Sequence, residues 1–157
     1  MAPERAADAA AVGAGAVALL ARRDYSSAGL RQRLVSQGFE AAAVQRVLEE
    51  LIERRYLDDE RYAAQYVSYH AARGQGPRRI GRELAAEGLD EELIAGALAT
   101  IADWVALARE LRIRRFGLAA PASWQERARQ ARFLLYRGFS TDHIRSALGP
   151  DFPTSED

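Results

Sequence analysis

Gly38-Phe39, Gly88-Leu89 and Gly138-Phe139 stand 50 residues apart in a chain of 157. The match extends on both sides. Leu34, Leu84 and Leu134 lie four residues before each glycine. Val44, Ile94 and Ile144 lie six after it, and Leu48, Leu98 and Leu148 ten after. A period of this size constrains the chain to tandem copies of one small unit. Each copy must bury part of its apolar face against the next.

Each copy reads as a helix, a glycine turn and a second helix. Leu30 and Leu34, like Ile80 and Leu84, are four apart and so share one helical face. The glycine suits the position just past the helix end, where left-handed backbone is cheap only for Gly. The Phe or Leu after it then packs back on the last turn. Asp90 and Ser140 are good N-caps for the second helix, and Glu40 is a weaker one at the same place. In the first copy that helix carries an apolar stripe of Val44, Val47, Leu48, Leu51 and Ile52. A third helix follows Asp58 and bears Tyr62, Tyr66 and Tyr69. Its counterpart in the second copy runs from about Ala102 to Phe116. Gly76-Pro77 reads as N-cap and first helical residue, and Ser123-Trp124-Gln125-Glu126 as a capping box.

Composition supports a helical reading. Ala, Leu, Arg, Glu and Gln supply 58% of the chain, against 16 residues of Val, Ile and Thr, too few for a sizeable sheet. The expected fold is all-α, with tandem three-helix repeats forming an elongated, curved array. The expected boundaries are an N-terminal tail and capping helix over 1–23, repeats over 24–73, 74–116 and 117–149 (the last truncated), and an acidic tail over 150–157.

Several chemistries are excluded. The chain has no Cys, so disulfides, thiolate metal sites and Cys nucleophiles are absent. His70 and His143 are its only histidines, and no Ser, Cys or acid is arranged around them in sequence for catalysis. Gly74-Gln75-Gly76 has neither the preceding strand nor the following Gly-Lys of a phosphate loop. Asp58-Asp59-Glu60 is expected to cap a helix rather than hold a metal. No catalytic residue, cofactor or metal is therefore expected. The longest apolar run, Ala9–Ala21, falls short of the ~20 residues that span a bilayer. Ahead of it Glu4 and Asp8 outnumber Arg5, the reverse of a signal peptide. The expected location is the cytoplasm, away from membranes.

Charge is the remaining signal. Every one of the 22 cations is Arg, balanced by 22 Asp and Glu. Residues 109–145 hold nine Arg against three acids, and residues 146–157 hold three acids and no Arg. One cluster, Arg73, Arg78, Arg79 and Arg82, straddles the Gly74–Pro77 turn. Arg78 and Arg82 share a helical face, where repulsion costs a few tenths of a kcal/mol and points to an anionic partner. Pairing of Arg79 with Glu83 is the plainer alternative. A second cluster comprises Arg109, Arg112, Arg114, Arg115, Arg127, Arg129, Arg132 and Arg137. Complementing helix C-termini accounts for Arg114, Arg115 and Arg137 at most. Both clusters are expected to form a basic surface for a partner or DNA. The three tyrosines are expected to pack rather than stack on bases.

Five segments together resemble the RecX family of bacterial RecA regulators. They are Ala21-Arg-Arg-Asp-Tyr-Ser26, Leu30 to Phe39, Tyr56-Leu-Asp-Asp-Glu-Arg-Tyr-Ala63, Gly76-Pro-Arg-Arg-Ile80 with Glu83-Leu84, and Arg132-Phe-Leu-Leu-Tyr-Arg-Gly-Phe-Ser140 with Ile144. The likeness covers roughly residues 17–148. It departs at Arg55, where the family usually has Gly, and in carrying Arg in place of the family's frequent Lys. The resemblance implies a non-enzymatic inhibitor that binds the RecA–single-stranded-DNA filament. Filament extension, ATPase, strand exchange and LexA cleavage would fall, in DNA repair and the SOS response. It also implies contact with single-stranded and double-stranded DNA, and the protein is expected to be a monomer. A competing reading is a direct DNA-binding protein whose helix-turn-helix-like units hold a preferred duplex without RecA. A third is a neutral scaffold with solvating arginines.

Overall fold

The computed structural model describes residues 1–149, so the expected acidic tail lies outside the described residues. All regular structure among them is helical. The helices are α1 (Pro3–Ala6), α2 (Ala9–Leu20), α3 (Ser27–Ser36), α4 (Ala41–Glu53), α5 (Asp59–Ala72), α6 (Pro77–Ala86), α7 (Glu91–Leu98), α8 (Trp104–Phe116), α9 (Trp124–Tyr136) and α10 (Thr141–Leu148). Among the described residues no helix is long and apolar enough to cross a membrane.

The 50-residue period is a repeated helix ending. Gly38, Gly88 and Gly138 have φ of 101°, 87° and 98°. In each case the glycine N–H and the following N–H reach back over the last turn. Phe39 donates to the Leu34 carbonyl at 3.3 Å, Leu89 to Leu84 at 3.2 Å and Phe139 to Leu134 at 3.1 Å. This is the Schellman geometry, and it satisfies carbonyls that the helix leaves without partners. The leucine that accepts the bond also buries its side chain fully. Of the other aligned apolar positions, Phe39, Val44, Leu48, Leu89, Ile94, Phe139, Ile144 and Leu148 are buried, while Leu98 is half-buried. The stripe on α4 is shorter than expected: Ile52 is exposed near the helix end and Leu51 is half-buried.

α4 ends in the same geometry without a glycine. Arg55 donates to Ile52 and Tyr56 to Leu51, at 3.0 and 2.9 Å. Arg55 consequently has φ of 60°, the one positive value on a non-glycine residue among those described. Left-handed backbone costs such a residue about 1–2 kcal/mol, and glycine returns about 0.5–1 kcal/mol of that in chain entropy. Arg55→Gly is therefore expected to raise stability by about 0.5–1 kcal/mol, read as a higher urea midpoint with unchanged slope. A lower midpoint would show that the Arg55 side chain contributes more than its backbone strain costs.

Caps follow local chemistry. Asp58, Asp90, Ser123 and Ser140 each accept a backbone N–H three residues on, at 2.8–3.2 Å. Glu40 forms no side-chain cap bond. The Ser123 box is half-formed: Glu126 turns forward to Gln130 and Arg129 instead of back to the cap.

The chain divides into two compact units, Met1–Ala63 with Leu84–Ile94, and Ala64–Glu83 with Ala95–Asp157. In the first, α2, α3 and α4 enclose a core of Val12, Ala16, Leu30, Leu34, Phe39 and Val44 with their neighbours. Two side chains pin the start of α3. Asp59 accepts the Ser27 N–H at 2.7 Å, and the buried Ser26 hydroxyl donates to the Glu87 carbonyl at 2.9 Å while accepting from Gly29. Tyr62 is half-buried in this unit. Burial pushes its phenol above the usual value, with Glu87, Asp24 and Asp59 adding to the effect and Arg23 opposing it. In the second unit α10 packs along α8 and α9 over Ala108, Leu134, Phe139, Ile144 and Leu148. The Trp104 indole N–H donates to the Leu98 carbonyl at 3.2 Å and its ring meets the edge of Phe139.

Candidate basic interface

The two units have opposite charge. The first carries nine Arg against fourteen Asp and Glu, the second thirteen Arg against eight acids. Three of those eight acids lie beyond residue 149. The neutral chain is thus an acidic unit and a basic unit, which net charge alone conceals.

Arg137 joins the two sequence clusters. It caps α9, yet its guanidinium serves the end of α5: Nε donates to the Gly74 carbonyl at 3.0 Å and Nη2 to the Arg73 carbonyl at 2.6 Å. A cation at a helix C-terminus gains from the helix dipole as well as from the hydrogen bonds. Backbone contacts reinforce the junction, because Gly76 donates to Arg137 and Arg78 to Gly138, at 2.7 and 2.9 Å. The start of α6, with Arg78 and Arg79, is thereby held against the glycine turn after α9.

The remaining residues of the first cluster divide by partner. Arg79 pairs with Glu83 at 3.4 Å, the plainer of its two readings, and Glu83 also accepts the Tyr66 hydroxyl at 2.6 Å. Arg78 and Arg82 are exposed and form no ion pair among the described residues. Arg73 lies 3.5 Å over the ring of Tyr69, which is 53% exposed. Of the three tyrosines, Tyr69 is the most exposed, with its ring meeting His70 edge to face at 5.0 Å. The other two are half-buried, and the Tyr66 ring lies against His70, tilted by 37° with ring centres 4.1 Å apart.

One member of the second cluster is not on the surface. Arg112 is 7% exposed. It stands four residues after the fully buried Ala108, on the face of α8 that packs inward. Its Nη1 donates to the Ala119 carbonyl and to Gln130 Oε1, both at 3.3 Å, and Gln130 in turn donates to Glu126 at 3.2 Å. This guanidinium braces α8 against α9 and is unavailable to a ligand. Arg109 is exposed and touches the Ser146 carbonyl at 3.3 Å. Arg114 and Arg132 are exposed with no ion pair among the described residues.

Aromatic rings position two more cations. Phe116 and Phe133 meet edge to face at 5.4 Å. Arg115 lies 5.8 Å from both rings, and Arg129 lies 5.3 Å from Phe116 while pairing with Glu126 at 3.3 Å. Reading the sequence for charge overlooked two exposed aromatics on α9: Trp124 is 61% and Tyr136 78% exposed. Among the described residues no group of His, Asp and Glu is placed to hold a metal.

Three family models match in chain order: RecX, first three-helix domain, over residues 16–51; RecX, second three-helix domain, over 58–98; and RecX, third three-helix domain, over 102–148. Their frame opens on the long helix (α2, α5, α8), one helix earlier than the 24–73, 74–116 and 117–149 divisions of the same period. "Regulatory protein RecX" of Halorhodospira halophila is 42% identical over 145 residues, spanning 92% of this chain and 90% of that one. Its namesake in Vibrio vulnificus is 36% identical over 137 residues, spanning 87% and 90%. The crystal structure of RecX from Lactobacillus salivarius shares the fold with a TM-score of 0.79, at 21% identity over 88% of this chain and 93% of that one.

Proposed function

The chain belongs to the RecX family of regulatory proteins, and on that premise we propose that it inhibits the RecA recombinase by binding the RecA–single-stranded-DNA filament. Its action limits filament extension, and with it ATP hydrolysis, strand exchange and LexA cleavage, in the cytoplasmic response to DNA damage. The protein works as a binding module and not as an enzyme. The observation that carries this reading is the segregation of charge. Thirteen of 22 arginines belong to the second unit, and Arg78, Arg82, Arg114 and Arg132 present charge that no acid neutralises among the described residues. A filament that contains DNA offers phosphates, to which guanidinium binds strongly and with a steep dependence on salt.

The test is single-stranded-DNA-dependent ATP hydrolysis by RecA from the same organism while this protein is titrated in. Inhibition is expected well below one protein per RecA and should weaken as salt rises. Arg78→Glu with Arg82→Glu should require on the order of tenfold more protein for the same inhibition, at unchanged helicity. Full inhibition by that double variant would remove these two residues from the site. No inhibition by saturating wild-type protein would defeat the filament reading itself.

A further inference from the structure

α9 carries its exposed aromatics in an ordered way. Trp124 opens the helix and Tyr136 closes it. Positions 124, 128, 132 and 136 form one four-residue ridge of Trp124, Ala128, Arg132 and Tyr136. The ridge is roughly 18 Å long and turns by about 120° round the helix between its two rings. Trp124 is 61% and Tyr136 78% exposed. Exposed aromatic rings interleaved with arginine offer faces on which bases stack and cations that meet phosphate. Charge along the ridge is positive: Arg132 is exposed and without an ion pair among the described residues, and Arg129 is held in place beside it by Phe116 and Glu126.

We propose that this ridge is a stacking platform for single-stranded nucleic acid. Bases of an unpaired strand lie on the Trp124 indole and the Tyr136 phenol, and the connecting phosphates meet Arg132 and Arg129. Stacking needs a free base face, which a duplex does not offer, so the platform selects single strands. Every base has such a face, so no sequence preference is built in. The unpaired positive charge of Arg132 between the two rings favours a polyanionic strand, and a protein partner is left as an outcome of the test. The inference does not need the filament reading, because the ridge acts on nucleic acid without RecA.

The experiment measures affinity for a labelled oligothymidylate and for an abasic oligomer of equal length and charge, by anisotropy, with no RecA present. Wild-type protein is expected to prefer the thymidylate. Trp124→Ala with Tyr136→Ala should weaken thymidylate binding about 10- to 100-fold, with abasic binding and helicity unchanged. Trp124→Phe with Tyr136→Phe should retain most of the preference. Equal wild-type affinity for the two oligomers would overturn the platform. So would undiminished thymidylate binding by the alanine variant. If that variant also lost its effect on RecA, the ridge would be a protein-docking surface, and the filament reading would survive without it.

Discussion

Leu34→Asp is expected to abolish the cooperative unfolding transition of the first unit. Leu34 is fully buried in the core shared by α2, α3 and α4. Removing such a side chain costs about 2–5 kcal/mol. Burying an unpartnered carboxylate adds several more, unless it is protonated at a comparable cost. Together these match the roughly 5–15 kcal/mol by which a typical domain is stable. Leu34→Met, which conserves volume, should cost less than about 1.5 kcal/mol. Thermal melts followed by circular dichroism separate the two. A wild-type melt for Leu34→Asp would refute the repeat-core account, because Leu84 and Leu134 occupy the same place in the period.

Gly76→Ala should be among the most damaging single methyl additions in the second unit. A Cβ at Gly76 would run into the backbone of Gly138 and Phe139, closer than real Cβ contacts allow. Backbone cannot swing aside as a side chain can. The start of α6 must then lift from the turn, and two short hydrogen bonds, Gly76 to Arg137 and Arg78 to Gly138, are lost or stretched. Overpacking costs about 1–3 kcal/mol and each bond about 1 kcal/mol. A loss of about 3–5 kcal/mol lowers the melting temperature by about 10 °C in a chain of this size. Gly96→Ala is the control. That glycine lies inside α7 with nothing near its absent Cβ, so alanine should raise stability by about 0.5–1 kcal/mol. Equal effects at the two sites would mean that the 76–138 junction is not tight. Because Arg73, Arg78 and Arg137 meet at that junction, Gly76→Ala should also blunt filament inhibition by the fraction that remains folded.

Much of the helical framework was legible because it is local chemistry. A left-handed glycine and a leucine one turn back act within five residues and recur three times, and a capping Asp or Ser follows in two of the three copies. The turn at Arg55 shows the limit of such reading. No glycine stands there, yet the Schellman bonds form on an arginine with φ of 60°.

The basic surface was less legible, for a physical reason. The fate of an arginine depends on which acceptors distant segments bring to it. Arg112 is buried because Ala119 and Gln130 supply oxygens on the inward face of α8. Arg137 faces carbonyls more than sixty residues away. Nothing in their sequence neighbourhoods distinguishes them from Arg114 or Arg132, which stay in solvent. The aromatics on α9 pose the same problem: Phe133 and Trp124 differ little as residues, and packing alone decides that one meets Phe116 and the other meets water.

By itself the sequence determined the all-helical class, the 50-residue period and the helix ends, since these rest on contacts within a turn or on repeated spacing, while the family was legible in the resemblance of five segments. Tertiary structure decided which charges are free, how the arginines gather around Gly76 and Gly138, and which aromatics remain exposed. Those outcomes depend on desolvation and on partners supplied by distant parts of the chain, and no local pattern encodes either.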